Sequence, residues 1–377
     1  MIYLDNAATT RPEDCVLEAA DRYLKEQFYN PSALYAEGYN LHLKLEEARR
    51  SILSYVADPD EYSLTITSCG TEADNQVIFC GGRRGNIVTT MGEHAAVFAA
   101  AQEAGRRGVE ARFAPLNPDG SVNEEELLKL VDEKTSIVSV IHINNETGAI
   151  NDINSLAKKV KAKNPRTLFH SDGVQAYGKL PFRLDGNVDM YSVSAHKIGA
   201  LKGTGALIKK KKLVLQPYIW GGGQENGLRS GTENVYGIKA FSLAAQAHCS
   251  DGGREKAWQH VRGLQARLWQ LLDKELFVRI SPEEGSPYIL SVAAKGVRGE
   301  TILHMCDDEG LIIGTGSACS SNAAKRHSRV MQACGLAPEL IDGVLRISFC
   351  THNTAEEIEE AAGILNRVVR ADSEMMK

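Results

Sequence analysis

No stretch of the 377 residues approaches the length of a membrane span, no low-complexity tract interrupts them, and no internal repeat is visible. A membrane-spanning protein, a disordered linker and a solenoid are therefore poor descriptions. The first residues, MIYLDNAATTRPE, carry neither a basic leader nor an apolar signal segment, so the expected location is cytoplasmic. The cysteines form no Cys-x-x-Cys pair and no finger-like spacing with histidine; they are scattered at Cys15, Cys69, Cys80, Cys249, Cys306, Cys319, Cys334 and Cys350. That pattern argues against a disulfide framework and a structural zinc site, and leaves most of the thiols as expected buried packing residues. Positive charge is also short. A formal net charge of −5 gives no field for nucleic acid, and the one basic run, 209–212, reads as a solvated turn after a strand.

What is present is 43% hydrophobic residues in a chain long enough to build two domains. Short apolar runs alternate with helical patterns, as an α/β protein with a mainly parallel sheet and crossover helices requires. The strands are expected at 64–67, 87–90, 136–143, 167–171, 190–194 and 205–208. After Cys249 the sequence SDGG makes a break, and a long amphipathic helix follows with Ala257, Val261, Leu264, Leu268 and Leu271 on one face. Further strands are expected at 278–281, 288–293 and 344–349. A last helix opens with Thr354 and Glu357 in capping-box spacing and buries Ile358, Ala361, Leu365 and Val368. The expected division is a large domain over 1–253, with about the first 15 residues packing on its neighbour, and a smaller α/β domain over 254–377.

Chemistry concentrates at strand ends. In MYSVSAHK, residues 190–197, a strand gives way to Ser194, His196 and Lys197. A hydroxyl and an imidazole there can hold a phosphate, and the amine can form a Schiff base with an aldehyde cofactor. In LFHSDGVQAYGK a second strand ends in Asp172, the carboxylate that a protonated pyridine nitrogen needs, with Gln175 three residues on. SLTITSCGTEADN offers a phosphate cradle, because Gly70 and Thr71 fall at a helix N-terminus where free N–H groups and the helix dipole favour a dianion. His94 follows another strand, where an imidazole can stack on a flat ring, and Asn145 sits in a polar turn after the next. Taken singly, these are a solvated lysine, a capped helix and a satisfied histidine. Taken together they lie after consecutive strands, where open α/β sheets place their ligands.

The motifs YLDNAATT, GTEADN, GEHAAV, NNETGAI, DGVQAYGK, SAHK, GGGQENGLRSGTEN and GSACSS, running almost end to end, resemble those of the cysteine desulfurases. These belong to the class V aminotransferase group of fold-type-I pyridoxal phosphate enzymes. The resemblance implies Lys197 as the Schiff-base lysine, Asp172 on the pyridine nitrogen and His94 stacked over the ring. It implies Gly70, Thr71, Ser194 and His196 around the phosphate, with Thr232 reaching it from the other subunit of a homodimer. Asn145 and Gln175 would contact ring substituents, Asn145 also the substrate, and Arg346 would grip the substrate carboxylate. Cys319, in a glycine- and serine-rich stretch, would take sulfur from L-cysteine as a persulfide, release alanine, and pass the sulfur to an iron–sulfur scaffold or a thiolation carrier. No resident metal is implied; Cys319 would at most be a transient cluster ligand with a scaffold partner. The long form of its loop, lacking an Arg-x-Gly-His-His-Cys pattern, is similar to the housekeeping and nitrogen-fixation branch. The chain departs from its relatives at Tyr35, at Cys69, at Ala200-Leu201-Lys202-Gly203 and at Lys325-Arg326-His327-Ser328. Selenocysteine lyase, a class V aminotransferase and a non-catalytic sulfur-handling paralogue share much of this pattern; the last fits poorly with Lys197, Asp172, His94 and Cys319 all being present.

Overall fold

The computed structural model of the chain describes residues 1–81, 85–315 and 328–375. A short strand β1 (Ile2–Tyr3) is followed by the seven strands of one sheet: β2 (Tyr62–Thr67), β3 (Asn86–Thr90), β4 (Ala111–Ala114), β5 (Thr135–Ser139), β6 (Leu168–Asp172), β7 (Met190–Ser194) and β8 (Gly205–Lys210). They lie in the order β2-β8-β7-β6-β5-β3-β4. Neighbours from β7 to β4 pair in parallel, whereas β8 is antiparallel to both β7 and β2. The reversal has a simple cause: residues 195–204 are too few to carry a crossover helix, so the chain leaving β7 must turn straight back. The sheet is thus mixed, with a parallel centre, rather than parallel throughout.

Helices cover both faces. Gly70–Gly81 and Ala95–Arg106 pack on one side around Ala73, Val77, Ile87, Val97 and Ile137. Ala36–Ser54, Ile153–Lys163 and Val235–Cys249 pack on the other around Phe169, Tyr191, Ile208 and Phe241. Burying each such side chain stabilises the fold by about 1.5–3 kcal/mol, and the central strands β6 and β7 are buried on both faces.

A second core surrounds the antiparallel strands β9 (Phe277–Arg279), β10 (Ile289–Ala294), β12 (Gly314–Thr315) and β13 (Val344–Ser348), ordered β12-β13-β10-β9. The helices Gly253–Leu271 and Ala355–Met375 supply Val261, Leu264, Leu268, Ile358 and Leu365 to it, and Ile2 and Leu4 belong to the same cluster. Strand β1 pairs in parallel with β11 (Leu311–Ile312). The capping box forms as its spacing predicts: Glu357 N–H donates to Thr354 Oγ1 and Thr354 N–H to the Glu357 carboxylate, both at 3.2 Å.

Several expectations need correction. The strand expected over 136–143 ends at Ser139, because the chain then leaves the sheet toward the polar turn at 144–148. Strands β1, β4, β11 and β12 are too short or too polar to show in an alternation pattern. Lys209 and Lys210 belong to β8, not to a turn, and Lys209 is buried with its amine donating to the Leu213 carbonyl at 2.9 Å. Of the thiols described, only Cys249, Cys306 and Cys334 are buried; Cys69, Cys80 and Cys350 are half-buried and Cys15 is exposed. Among the described residues no helix is long and apolar enough to cross a membrane.

Candidate active site

The carboxyl ends of β2, β3, β6 and β7 share one edge of the large sheet, and a cavity of about 250 Å³ opens there. Gly70, Thr71, His94, Asn145, Asp172, Gln175, Ser194, His196, Lys197 and Arg346 all line it, together with Cys69 and Asp74. Ten residues expected from sequence to act together are therefore brought together by the fold. Thr232 is exposed on the surface and does not line this cavity. Cys319 lies outside the described residues; the chain leading toward it passes through β12, whose Gly314 lies opposite Arg346 on β13.

Lys197 ends a single 3₁₀ turn, Ala195–Lys197, directly after β7. Its amine donates to the Ala7 carbonyl at 2.6 Å and to the Ala8 carbonyl at 2.8 Å. The N-terminal segment thus closes one wall of the cavity with backbone acceptors. His196 reaches the same segment, its Nδ1 3.1 Å from Thr9 Oγ1, and burial, reinforced by Lys197, pushes its pKa down to about 4.

Asp172 ends β6, and Gly173 lets the chain turn at once, since a Cβ there would fall 1.9 Å from the Tyr191 ring. The Asp172 carboxylate accepts the Val174 N–H at 2.9 Å. Burial raises its pKa, while His94, the Val174 N–H and Lys197 oppose that rise. His94 caps the helix Ala95–Arg106, its Nδ1 accepting the Ala96 N–H at 3.2 Å. A neutral ring that accepts through Nδ1 carries its proton on Nε2, and burial lowers the pKa of His94 in keeping with that form.

Asp74 is the member that pattern reading missed. It is only 1% exposed, one of its oxygens has no hydrogen-bond partner, and it lies 3.6 Å from His170 Nε2. Ligand atoms of Asp74, His94 and Asp172 all fall within 4.8 Å of one another. Burial, and then the Asp172 charge, hold Asp74 well above the ordinary carboxylate range. The available signal was a carboxylate between Ala73 and Val77, on the inward face of the helix Gly70–Gly81. The Ala7 and Ala8 carbonyls left no signal, because backbone acceptors have no side-chain signature.

Arg346 is 4% exposed; one guanidinium nitrogen donates to Asp5 at 2.9 Å and another to the Asn145 carbonyl at 3.1 Å. Its Nε has no partner, and neither have Ser194 Oγ and Asn145 Oδ1. Such buried polar atoms are costly unless a ligand satisfies them. The cradle is kept open by glycine: a Cβ on Gly70 would meet Val174 at 2.7 Å, and one on Gly205 would meet the Cys69 backbone at 2.6 Å. A helix N-terminus, an unpartnered hydroxyl, a buried carboxylate and an amine on four sides of one cavity fit the phosphate, ring nitrogen and aldehyde carbon of pyridoxal phosphate.

Comparison with known proteins gives the family and the fold. The aminotransferase class-V family model matches residues 2–360. A cysteine desulfurase of Nostoc sp. is 32% identical, the match covering 98% of this chain and 93% of that protein. A protein of Dictyoglomus turgidum named cysteine desulfurase IscS is 34% identical, covering 98% of this chain and 94% of its own. The solved structure of a NifS-like protein superposes with a TM-score of 0.90 at 34% identity, over 98% of this chain and 99% of the other. The architecture is that of the fold-type-I enzymes, and the family is one whose members generally depend on pyridoxal phosphate. With sequence and fold agreeing over nearly its whole length, the chain belongs to the class-V aminotransferase family.

Proposed function

We propose that the chain is a homodimeric, pyridoxal phosphate-dependent cysteine desulfurase of the cytoplasm, divided near residue 253 into a cofactor-binding and a smaller domain. It converts L-cysteine to L-alanine and carries the sulfur as a persulfide on Cys319 to an acceptor, an iron–sulfur scaffold or a thiolation carrier. The observation that carries this reading is the convergence of Lys197, Asp172, His94 and Arg346 on a cavity with unpartnered polar atoms, in a chain whose relatives are named cysteine desulfurases.

When bound, pyridoxal phosphate supplies an electron sink for the pair left at the substrate α-carbon. The residues of the chain do the rest. Gly70, Thr71, Ser194 and His196 hold the phosphate, and Asn145 and Gln175 offer amides to ring substituents. Asp172 keeps a proton on the ring nitrogen, and the Val174 N–H helps it remain anionic while it does so. His94 covers the ring face as a neutral imidazole. Lys197 would be the point of attachment, and its amine, when free, would be the base that takes the substrate α-proton and later returns it. Arg346 has Nε available to a carboxylate while Asp5 occupies another nitrogen. The Cys319 thiolate forms a new S–S bond to the substrate sulfur as the carbon–sulfur bond breaks. The pair from that bond stays with carbon and is protonated, so alanine leaves and the enzyme keeps one sulfur.

Thr232 supports the dimer, since it is exposed and would reach a phosphate only across to a second copy. Apolar side chains in need of cover support it too: Phe28 is 71% exposed, Trp220 72% and Val214 86%. The test is a visible spectrum of the purified protein before and after L-cysteine is added, with alanine and sulfide quantified. A colourless protein that stays colourless with added pyridoxal phosphate ends the reading. Cys319→Ser should load the cofactor and still respond spectrally to cysteine, yet release no sulfide; undiminished release would assign the nucleophile elsewhere.

A further inference from the structure

Lys179 is a buried amine beside the cavity that no step above uses. It is 4% exposed, and among the described residues it forms no ion pair. Its amine lies 5.4 Å from the centroid of the Tyr288 ring and donates to Gln175 Oε1 at 3.2 Å. Around it Ala176 and Leu180 meet Ile289 in an apolar cluster, so the amine gains little from solvent. A buried lysine without a carboxylate is expensive to keep, and its neighbours show what it does.

Gln175 Nε2 donates to the Ala7 carbonyl at 2.9 Å, and the same carbonyl receives Lys197 Nζ at 2.6 Å. A carbonyl only accepts, and the head of Lys179 faces Oε1 with N–H groups. An amide held between those two partners has a single satisfied orientation, with its oxygen toward Lys179 and its nitrogen toward Ala7. Turned over, it would set N–H against N–H and oxygen against oxygen, at a cost of one to three kcal/mol per unsatisfied group, roughly. The second amide proton of Gln175 then remains for the cavity that this residue lines.

We propose that Lys179 is a positioning residue: it fixes the amide of Gln175 so that an N–H, not a carbonyl oxygen, is offered to the group attached at Lys197. This rests on the cofactor reading above. Burial, and then Lys197, pull the pKa of Lys179 down to about 7, and both of its protonation states keep N–H donors toward Oε1.

The test is a pH titration of the visible absorbance band of the pyridoxal phosphate-loaded protein, without substrate. In Lys179→Met the titration midpoint should rise by about one pH unit, because a donor that favours the deprotonated form of the link is lost. Gln175→Ala should show the same shift, and the double variant no more than either alone. An unchanged midpoint in Lys179→Met overturns the proposal. So does an additive double variant, which would mean that Lys179 acts on Lys197 by charge alone. If Lys179→Met does not fold, Lys179→Arg decides: its donor-only head should keep the wild-type midpoint, and a shift as large as that of Gln175→Ala would overturn the idea. Wild-type protein without a visible band would fail the cofactor reading and this inference together; a normal band with an unresponsive midpoint fails this inference alone.

Discussion

The cavity and the residues beside it carry opposite charges on two sides, Glu93 and Lys179 standing outside its lining, and burial acts on the two sides in opposite directions. On the β2–β3–β6 side stand Asp74, Glu93 and Asp172, all buried carboxyls with pKa values held above their ordinary range. On the side of the N-terminal segment and β13 stand Lys197, Lys179 and Arg346, where Lys179 is pulled down to about 7. Burial in a dry place makes charge of either sign costly to keep, and Arg346 is answered by Asp5 at 2.9 Å. A protonated ring nitrogen beside Asp172 and a substrate carboxylate beside Arg346 would relieve both, so the separation of charge describes the proposed ligands as closely as any single contact does.

The largest effect should come from removing the amine at the centre. Lys197→Ala should lose the visible band of the loaded protein and lower alanine formation by about 10³-fold or more, as expected when nucleophile and base are the same group. An unaltered band would move the attachment point elsewhere. Next comes a comparison within the acidic wall. Asp172→Asn should lower turnover by about 10²-fold, because an amide no longer holds a proton on the ring nitrogen. Asp74→Asn should change it by less than about 3-fold, since burial and the Asp172 charge raise the pKa of Asp74 and so favour the protonated acid, which an amide mimics. Equal losses in the two variants would mean that Asp74 is ionised. On the cationic wall, Arg346→Ala should raise the KM for cysteine by about 10- to 100-fold with a smaller change in kcat, the pattern of a lost carboxylate contact.

How legible this was differs between the walls. Lys197, Asp172 and His94 announce themselves because each sits at or just after the end of a strand, and the alternation of strands and helices brings those ends to one edge, whereas Arg346, within β13 of the second sheet, was legible only through the family resemblance. Asp74 and Lys179 did not, because a polar residue inside a helix, as Asp74 is, or in the turns after a strand, as Lys179 is, looks like a surface position until packing shows that it is turned inward. Backbone acceptors at Ala7 and Ala8 were invisible for a deeper reason. They depend on Ile2 and Leu4 joining the second core and drawing the N-terminal segment across the cavity, a contact between residues hundreds of positions apart. The mixed direction of the sheet escaped in the same way, since it follows from the length of one connection and not from any strand's composition.

The smallest effect tests the acidic wall away from the chemistry. Glu93 is 1% exposed; one oxygen accepts from Thr90 at 2.7 Å and from the Ile141 N–H at 3.0 Å, and the other has no partner. Burial pushes its pKa up to about 8 from an ordinary carboxylate value of 4.5. Between those two values the folded state binds more protons than the unfolded state, so stability falls as pH rises through the window, and it is fully present only below about 4.5. Glu93→Gln keeps an acceptor for Thr90 and Ile141 but cannot ionise, so its stability should not fall in this way. The melting temperature of the variant should therefore gain on the wild type between pH 5 and pH 9, by roughly 2 °C or more for a protein of this size. His142, His170 and His196 act at the other end. Held neutral by burial down to about 3, 3 and 4, they cost stability as pH falls below about 6.5 in both proteins alike, and so cancel from the difference. A melting-temperature difference that stays flat from pH 5 to pH 9 would mean that Glu93 ionises as easily in the fold as in water, and that its wall of the cavity is wetter than its burial implies.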